Sequence, residues 1–362
     1  MAEIALQRLR KTYGKVVAIK DLSLDIRDGE FLVLLGPSGC GKTTTLRALA
    51  GLETLDMGRI IIGGRDVTLL PPGKRGIAMV FQSYAVFPHM RVYDNIVFGL
   101  RMRGVPPPEQ RKRAEEGAEL LQIGNLLERY PAQLSGGQRQ RVAVARAIVM
   151  QPDVLLMDEP LSNLDALLRL HMRAELKRIH REVRSTTVYV THDQVEALSL
   201  GDRIAVLQEG EIVQCDTPAR IYDVPANRFV GSFIGSPPMN FLAGVLRSAD
   251  GRLVVESGGA RIPLVRAAAA SGVPPSGRVL LGIRPEHIEV ALAPVPDAVP
   301  GRVVVLEPIG AQQLLTVRAG DETVKVATPP EFQVEAGAPV WLRLRPERIR
   351  LMDAQTGAAI PA

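Results

Sequence analysis

Apolar positions fall into two textures along the chain. Up to about Gly231, short apolar runs alternate with stretches of helical spacing. Phe31-Leu32-Val33-Leu34-Leu35 and Val154-Leu155-Leu156-Met157 are apolar at every position, which predicts strands buried on both faces as in a parallel sheet. Thr187-Val188-Tyr189-Val190 is a further strand-like run. Residues 1 to about 86 alternate such runs with turns, and from Phe87 to about Met150 the pattern turns helical. Glu109 to Leu121 places Ala114, Ala118 and Leu121 on one side, and Gln138 to Met150 does the same with Val142, Ala145, Ile148 and Val149. Ala166 to Val183 carries Leu168, Met172, Ile179 and Val183 on one stripe. After Gly231 come short alternating strands, glycine turns and proline-rich connectors. That change predicts a boundary at 235/236. Within the second region, Leu281-Gly282-Ile283-Arg284-Pro285-Glu286-His287-Ile288 recurs sixty-one residues later as Leu342-Arg343-Leu344-Arg345-Pro346-Glu347-Arg348-Ile349. Val340, Leu342 and Leu344 alternate with Trp341, Arg343 and Arg345, the period of a half-buried strand.

The chemistry enters directly after the first buried run. Gly36-Pro37-Ser38-Gly39-Cys40-Gly41-Lys42-Thr43 leads into helix-compatible Thr44-Thr45-Leu46-Arg47-Ala48. Strand, glycine loop and helix form the context in which backbone N–H groups wrap phosphates at a positive helix end. Lys42 is then expected to reach the β- and γ-phosphates of a nucleotide triphosphate, and Thr43 to offer a hydroxyl to Mg²⁺. The run Val154–Met157 delivers Asp158 and Glu159 at a strand's carboxyl end, where ligands bind in open α/β sheets. Asp158 suits Mg²⁺, and Glu159 is free to polarise an attacking water. Leu134-Ser135-Gly136-Gly137-Gln138 opens the third helical stretch. On local chemistry alone it reads equally as a helix-capping loop or as an anion site.

Taken together these strings identify a resemblance that covers nearly the whole chain: it resembles the nucleotide-binding subunit of an ABC transporter. The resemblance implies an α/β P-loop NTPase with a mixed sheet over 1–235, a helical subdomain at about 87–150, and a C-terminal all-β domain over 236–362. That last domain resembles the oligonucleotide/oligosaccharide-type (TOBE) barrel of binding-protein-dependent importers. The same resemblance implies that Tyr13 stacks on adenine, that Gln82 senses Mg²⁺ and the attacking water, and that His192 is a switch at the γ-phosphate. Asp165, in Ser162-Asn163-Leu164-Asp165, falls in the dimer-contact loop, with Asn163 where many relatives carry alanine. Leu134–Gln138 is then expected to close over ATP held by the opposite protomer, so two ATP molecules lie between two copies of the chain. The segment Tyr84 to Met90 falls where importers receive a short helix of their membrane subunit; a buried apolar connector is the other reading of these residues.

Composition narrows the partners. With 46% hydrophobic residues but no uninterrupted apolar stretch near ~18 residues, the chain predicts no membrane-spanning helix, so a pore must come from other chains. The two cysteines, Cys40 and Cys215, point to a reducing compartment, because a disulfide at Cys40 would disrupt the phosphate loop. A net charge of +5 is too mild to argue for nucleic acid. The expectation is a peripheral ATPase at the cytoplasmic face of a bacterial inner membrane, paired with two membrane-spanning permease subunits and indirectly with a solute receptor. Gly235-Ser236-Pro237-Pro238-Met239-Asn240 together with the first repeat resembles the maltose and glycerol-3-phosphate branch, which implies a carbohydrate solute. Polyamine, iron or inorganic anion uptake are the runners-up. A soluble ABC ATPase, or a nucleotide-dependent regulator working through its C-terminal barrels, also stays open, as do dimer stabilisation, regulator docking and small-molecule binding for those barrels.

Overall fold

The computed structural model describes residues 2–249, 252–264 and 276–361. Two compact units result, Met1–Pro218 and Ala219–Ala362. The change of sequence texture at 235/236 comes later, after two short helices that pack with the second unit.

In the first unit, β1 (Ile4–Tyr13) and β2 (Val16–Ile26) form a hairpin, followed by β3 (Phe31–Leu35), α1 (Lys42–Ala50), β4 (Met57–Ile62) and β5 (Arg65–Asp66). Next come β6 (Ile77–Val80), α2 (Val92–Met102), α3 (Pro107–Leu120), α4 (Gly136–Ile148), β7 (Val154–Asp158), α5 (Ala166–Val183), β8 (Thr186–Thr191), α6 (Gln194–Leu200), β9 (Arg203–Gln208) and β10 (Glu211–Asp216). One sheet is antiparallel, ordered β2-β1-β4-β5. The other is mixed, ordered β10-β9-β3-β8-β7-β6, parallel except for the β10 edge. Strands β3, β7 and β8 are buried at every residue, as central parallel strands are, although β8 carries Thr186, Thr187 and Thr191 as well as apolar residues. Leu32, Leu34, Leu156, Val188 and Val190 share one core with Leu46 and Leu49 of α1, which fixes the loop between β3 and α1 on a rigid base. Helices α2, α3 and α4 occupy the chain between β6 and β7, where the helical stretch is expected, and Ala114, Ala118, Leu121, Val142 and Ala145 are all buried. On α5 the buried residues are Met172, Leu176 and Ile179, while Leu168 and Val183 are only half-buried.

The second unit opens with α7 (Pro218–Asp223) and α8 (Arg228–Phe233), then β11 (Asn240–Ala249), β12 (Arg252–Ser257), β13 (Ala260–Pro263), β14 (Arg278–Ile283) and β15 (Ile288–Ala291). It continues with β16 (Val299–Pro308), β17 (Gln313–Ala319), β18 (Glu322–Thr328), β19 (Pro339–Leu344) and β20 (Arg350–Asp353). Two five-stranded antiparallel sheets result, β13-β12-β11-β14-β20 and β15-β19-β16-β17-β18, with one shared apolar core. The sequence repeat is structural: each copy is a strand, a 3₁₀ turn at Pro285–His287 or Pro346–Arg348, and a second strand that enters the other sheet. The copies pair with one another, β14 with β20 and β15 with β19, so each completes the sheet that the other begins. Val340, Leu342 and Leu344 point into the core, as their alternation predicts.

Arg284 anchors the two short helices to this unit. It is buried to 1% exposure, donates to the carbonyls of Ile234, Gly231 and Tyr222, and lies 4.0 Å from the Tyr222 ring centroid. Its counterpart in the second copy, Arg345, is half exposed and pairs with Glu289.

Candidate functional site

The parallel strands end side by side, and each delivers one piece of chemistry there. The register aligns Leu35 with Thr191, Asp158 with Val190, and Val80 with Met157, so the carboxyl ends of β3, β8, β7 and β6 form one row. From β3 the chain enters the loop Gly36–Gly41. Gly39 and Gly41 adopt φ of 80° and 103°, a region that L side chains avoid. Gly41 is the residue before α1, and its own Cβ would lie within 3.0 Å of the Ala18 carbonyl oxygen. Pro37, Ser38 and Gly39 are exposed on the outer rim, whereas Gly36, Cys40 and Gly41 are buried against the sheet. Lys42 is buried inside its own loop, donating to the Gly36 and Pro37 carbonyls at 2.8 and 2.9 Å with Cys40 Sγ at 3.8 Å.

From the next row of strands, Asp158 Oδ1 accepts from the Thr43 hydroxyl at 3.3 Å. Burial pushes the Asp158 carboxyl above its usual range, against the opposing pull of the Thr43 bond and of Arg47. Glu159 leaves the strand: its φ of 44° is left-handed, and its Oε2 lies 3.1 Å from His192 Nδ1. Gln82 donates through Nε2 to Ser162 Oγ at 3.3 Å, and the Ser162 hydroxyl donates to the Glu159 carbonyl at 2.9 Å. Asn163 Nδ2 reaches the Gln82 carbonyl at 3.0 Å, a bond that alanine at this position cannot make. Gln82, Ser162, Asn163, Glu159 and His192 are therefore one connected network, joined to Thr43 and Asp158 through the adjacency of Asp158 and Glu159.

Tyr13 stands at the turn of the first hairpin, 46% exposed, with Lys11 Nζ 5.0 Å from its ring centroid. Lys11 is paired with Glu53 at 2.9 Å. Burial raises the Tyr13 phenol above its ordinary value, with Glu53 and Thr44 as hydrogen-bonding neighbours, so the ring stands beside the end of the phosphate loop. A flat ring left open on one side of a phosphate loop can stack on a base.

Leu134–Gln138 occupies a different place. Ser135 Oγ accepts from the Gln138 amide while Gln138 Oε1 accepts from the Ser135 amide, a reciprocal cap at the start of α4. A Cβ at Gly136 or Gly137 would press on Leu164 or Leu168, so these glycines let the helix end lie close to Leu164 and the start of α5. Asp165 caps α5 by accepting from the Leu168 amide at 2.9 Å. The helix-capping reading of Ser135 thus holds within one chain, Asp165 caps α5 in the same way, and neither cap uses up the exposed outer surface of its residue.

The donors present fit a nucleotide and its metal. Mg²⁺ takes hard oxygen ligands and usually keeps one or two carboxylates together with waters and substrate phosphate. Thr43 Oγ1 and Asp158 Oδ1 supply such a pair on two rigid elements. No cluster of three or more His, Cys, Asp or Glu occurs among the described residues, so a cation here needs phosphate oxygens to complete its shell.

Three residues invisible to motif reading sit behind this site. Glu196 is buried and accepts from the Tyr189 and Thr191 hydroxyls at 2.8 and 2.7 Å, and burial raises its carboxyl. Arg146 donates to the carbonyls of Tyr84 and Ala85, both left-handed at φ of 62° and 48°. Arg169 joins Leu164 to Asp193. The Arg146 bonds to Tyr84 and Ala85 and the Arg169 bond to Asp193 span separations in sequence that no local pattern reports.

A glycine phosphate loop on a parallel sheet, carboxylates and a histidine at the neighbouring strand ends, and an inserted helical stretch define an ATP-binding cassette ATPase. Comparison with known proteins agrees. The ABC transporter family matches residues 19–162, the MalK OB fold domain residues 235–288 and the TOBE domain residues 281–357. The chain is 48% identical to the trehalose/maltose import ATP-binding protein MalK of Thermococcus litoralis, over 99% of this chain and 100% of that one. It is 47% identical to the sn-glycerol-3-phosphate import ATP-binding protein UgpC of Salmonella typhi, with the same coverage. Among solved structures, the dimeric bacterial ABC transporter cassette MJ0796 matches 59% of this chain and 98% of its own at 33% identity and a TM-score of 0.54. A post-hydrolysis form of that cassette bound to ADP and Pi matches at 31% identity and a TM-score of 0.53. The chain belongs to the family of ABC importer ATP-binding proteins of the MalK and UgpC type. It binds ATP and is an ATPase coupled to transport. Among its described residues no helix is long and apolar enough to cross a membrane.

Proposed function

We propose that this chain hydrolyses ATP to power import of a carbohydrate, either a sugar, an oligosaccharide or glycerol-3-phosphate, as a peripheral homodimer on the cytoplasmic face of a bacterial inner membrane. Two permease subunits and a solute receptor complete the transporter. The observation that carries the hydrolytic assignment is the Glu159–His192 contact set beside the Thr43–Asp158 pair at the ends of β7, β8 and β3. The relatives named for trehalose/maltose and sn-glycerol-3-phosphate import support the solute class.

In this reading the amides of Gly36 to Thr43 bind the phosphates, Lys42 turns from its loop carbonyls to the β- and γ-phosphates, and Tyr13 and Thr44 line the nucleoside side. Thr43, Asp158 and Gln82 hold Mg²⁺, which when bound neutralises phosphate charge. Glu159 accepts the proton of the attacking water, and His192 keeps that carboxylate oriented. Leu134 to Gln138 of the second copy closes over the γ-phosphate, and Asp165 contacts that copy. The stretch 1–235 carries this work, and 236–362 serves as its regulatory partner. Donors aimed at developing phosphate charge typically supply about 10² to 10³ in rate.

The test is the Glu159→Gln variant captured from membranes in mild detergent with MgATP. It should hold ATP unhydrolysed as a dimer and bring two polytopic membrane proteins with it. Wild-type turnover would exclude Glu159 as the base, and exclusively soluble partners would exclude transport.

A further inference from the structure

The loop after Glu159 is tied at both ends. On one side Ser162 and Asn163 bond to Gln82; on the other, Arg169 Nη2 donates to the Leu164 carbonyl at 3.0 Å. The same guanidinium reaches Asp193 Oδ2 through Nη1 at 3.3 Å. Asp193 follows His192 directly and divides its carboxylate between two tasks. Its Oδ1 accepts from the Val195 and Glu196 amides at the start of α6, leaving Oδ2 for Arg169. Its own amide donates to Thr191 Oγ1 at 2.9 Å, and the Thr191 hydroxyl donates to buried Glu196. The turn that carries His192 is thus fixed from below by Thr191 and Glu196 and from the side by Arg169.

We propose that Arg169 is a positioning residue that makes the dimer-contact loop and the His192 turn move as one body, so that arrival of a second copy at Leu164–Asp165 sets the Glu159–His192 contact. Three observations support this. The pair is partly shielded, with side-chain exposures of 32% and 22%, so it is screened less than a surface ion pair. The planar fork lets one side chain bond a carbonyl and a carboxylate in fixed relation, which a lysine cannot do. Arg169 Nε is buried without a partner among the described residues, an arrangement that general packing does not favour and that leaves the fork's direction set by its two terminal nitrogens.

The inference rests on the hydrolytic reading of Glu159 and His192, and the experiment separates the two. Steady-state MgATP turnover and fluorescent-nucleotide binding are measured on the full chain for Arg169→Met, Arg169→Lys, Asp193→Asn and the Met/Asn double variant. Asn keeps an oxygen for capping α6 while removing the charge. We expect kcat to fall about tenfold in Arg169→Met and Asp193→Asn, KM and nucleotide affinity to stay within about twofold, and Arg169→Lys to lie between. The double variant should be no slower than either single one, because both remove the same link. Glu159→Gln and His192→Ala run alongside. If those two kept wild-type turnover, the hydrolytic reading would fail. If they lost it while Arg169→Met and Asp193→Asn kept wild-type kcat, or if the single losses multiplied in the double variant, the Arg169 link would be overturned. A parallel drop in nucleotide affinity and melting temperature in all four would likewise overturn it, as the mark of a merely structural residue.

Discussion

Gly39 and Gly41 are two left-handed glycines two residues apart, and alanine at each should cost very different amounts. At Gly39 the φ is 80° and an added Cβ meets no atom within 4 Å, so Gly39→Ala bears only the conformational penalty, about 1 kcal/mol. At Gly41 the φ of 103° lies further from the left-handed well, and the Cβ would fall within 3.0 Å of the Ala18 carbonyl oxygen and beside the Gly210 Cα at 3.7 Å. Ala18 belongs to β2, and Gly210 holds that strand through its carbonyl bond to the Lys20 amide at 3.0 Å, so the obstacle is backbone on both sides and cannot swing away. Adding roughly 1–3 kcal/mol for overpacking to about 1–2 kcal/mol of backbone strain gives about 2–5 kcal/mol for Gly41→Ala. In a unit of this size that is a melting-point loss of roughly 5–15 °C, against about 2–4 °C for Gly39→Ala. Because Gly41 is also the residue before α1, the loop amides would shift with it and nucleotide affinity should fall at least about tenfold. Differential scanning fluorimetry with and without MgATP reads both effects. Equal melting points for the two variants, or unchanged nucleotide-induced stabilisation in Gly41→Ala, would refute the steric argument.

Two further outcomes follow from buried polar groups. Burial raises the Glu196 carboxyl, so the folded chain holds that proton more tightly than the unfolded one, and stability is lost as pH rises from the unfolded value of 4.5 through the higher folded one. Glu196→Gln removes that titration; its stability relative to wild type should improve across that window, and a difference independent of pH would contradict the raised value. Arg284→Met strips donors from the Tyr222 and Ile234 carbonyls and should destabilise the second unit by about 2–4 kcal/mol in urea unfolding, whereas Arg345→Met should cost no more than about 0.5 kcal/mol. Equal costs would show that burial does not distinguish these twin positions.

The continuous apolar runs made β3 and β7 legible, because a strand covered on both faces leaves no room for polar positions. The helix start at Ser135 was open to reading, since a capping side chain bonds an amide three residues away, whereas the matching cap of α5 by Asp165 emerges only from the structure. Legibility ended where tertiary contacts decide. On α5 the expected stripe began at Leu168 and passed over Leu176. The structure buries Leu176 and leaves Leu168 half-covered, packed against Gly137 of α4. Glu159 reads as the last residue of a strand, yet it turns left-handed to face His192. Links such as Gln82 to Ser162 and Arg169 to Asp193 join residues that share no local pattern. Arg284 and Arg345 occupy the same motif, and only the presence of α7 and α8 around the first makes it a buried hub.

The crossed pairing of the two repeats governs the order in which the chain can fold during synthesis. Strand β14 lies between β11 and β20, so one of its edges stays open until residues 350–353 have emerged, and β15 waits in the same way for 341–344. The first unit has a long wait of its own, since β3 pairs only with the late strands β8 and β9, but both of its sheets have all their strands once Asp216 has emerged. The first unit can therefore mature while the second is still being made, and a ribosome that stops between the two copies releases a chain with a complete first unit and two half-built sheets with exposed edges, the kind of product that quality control removes.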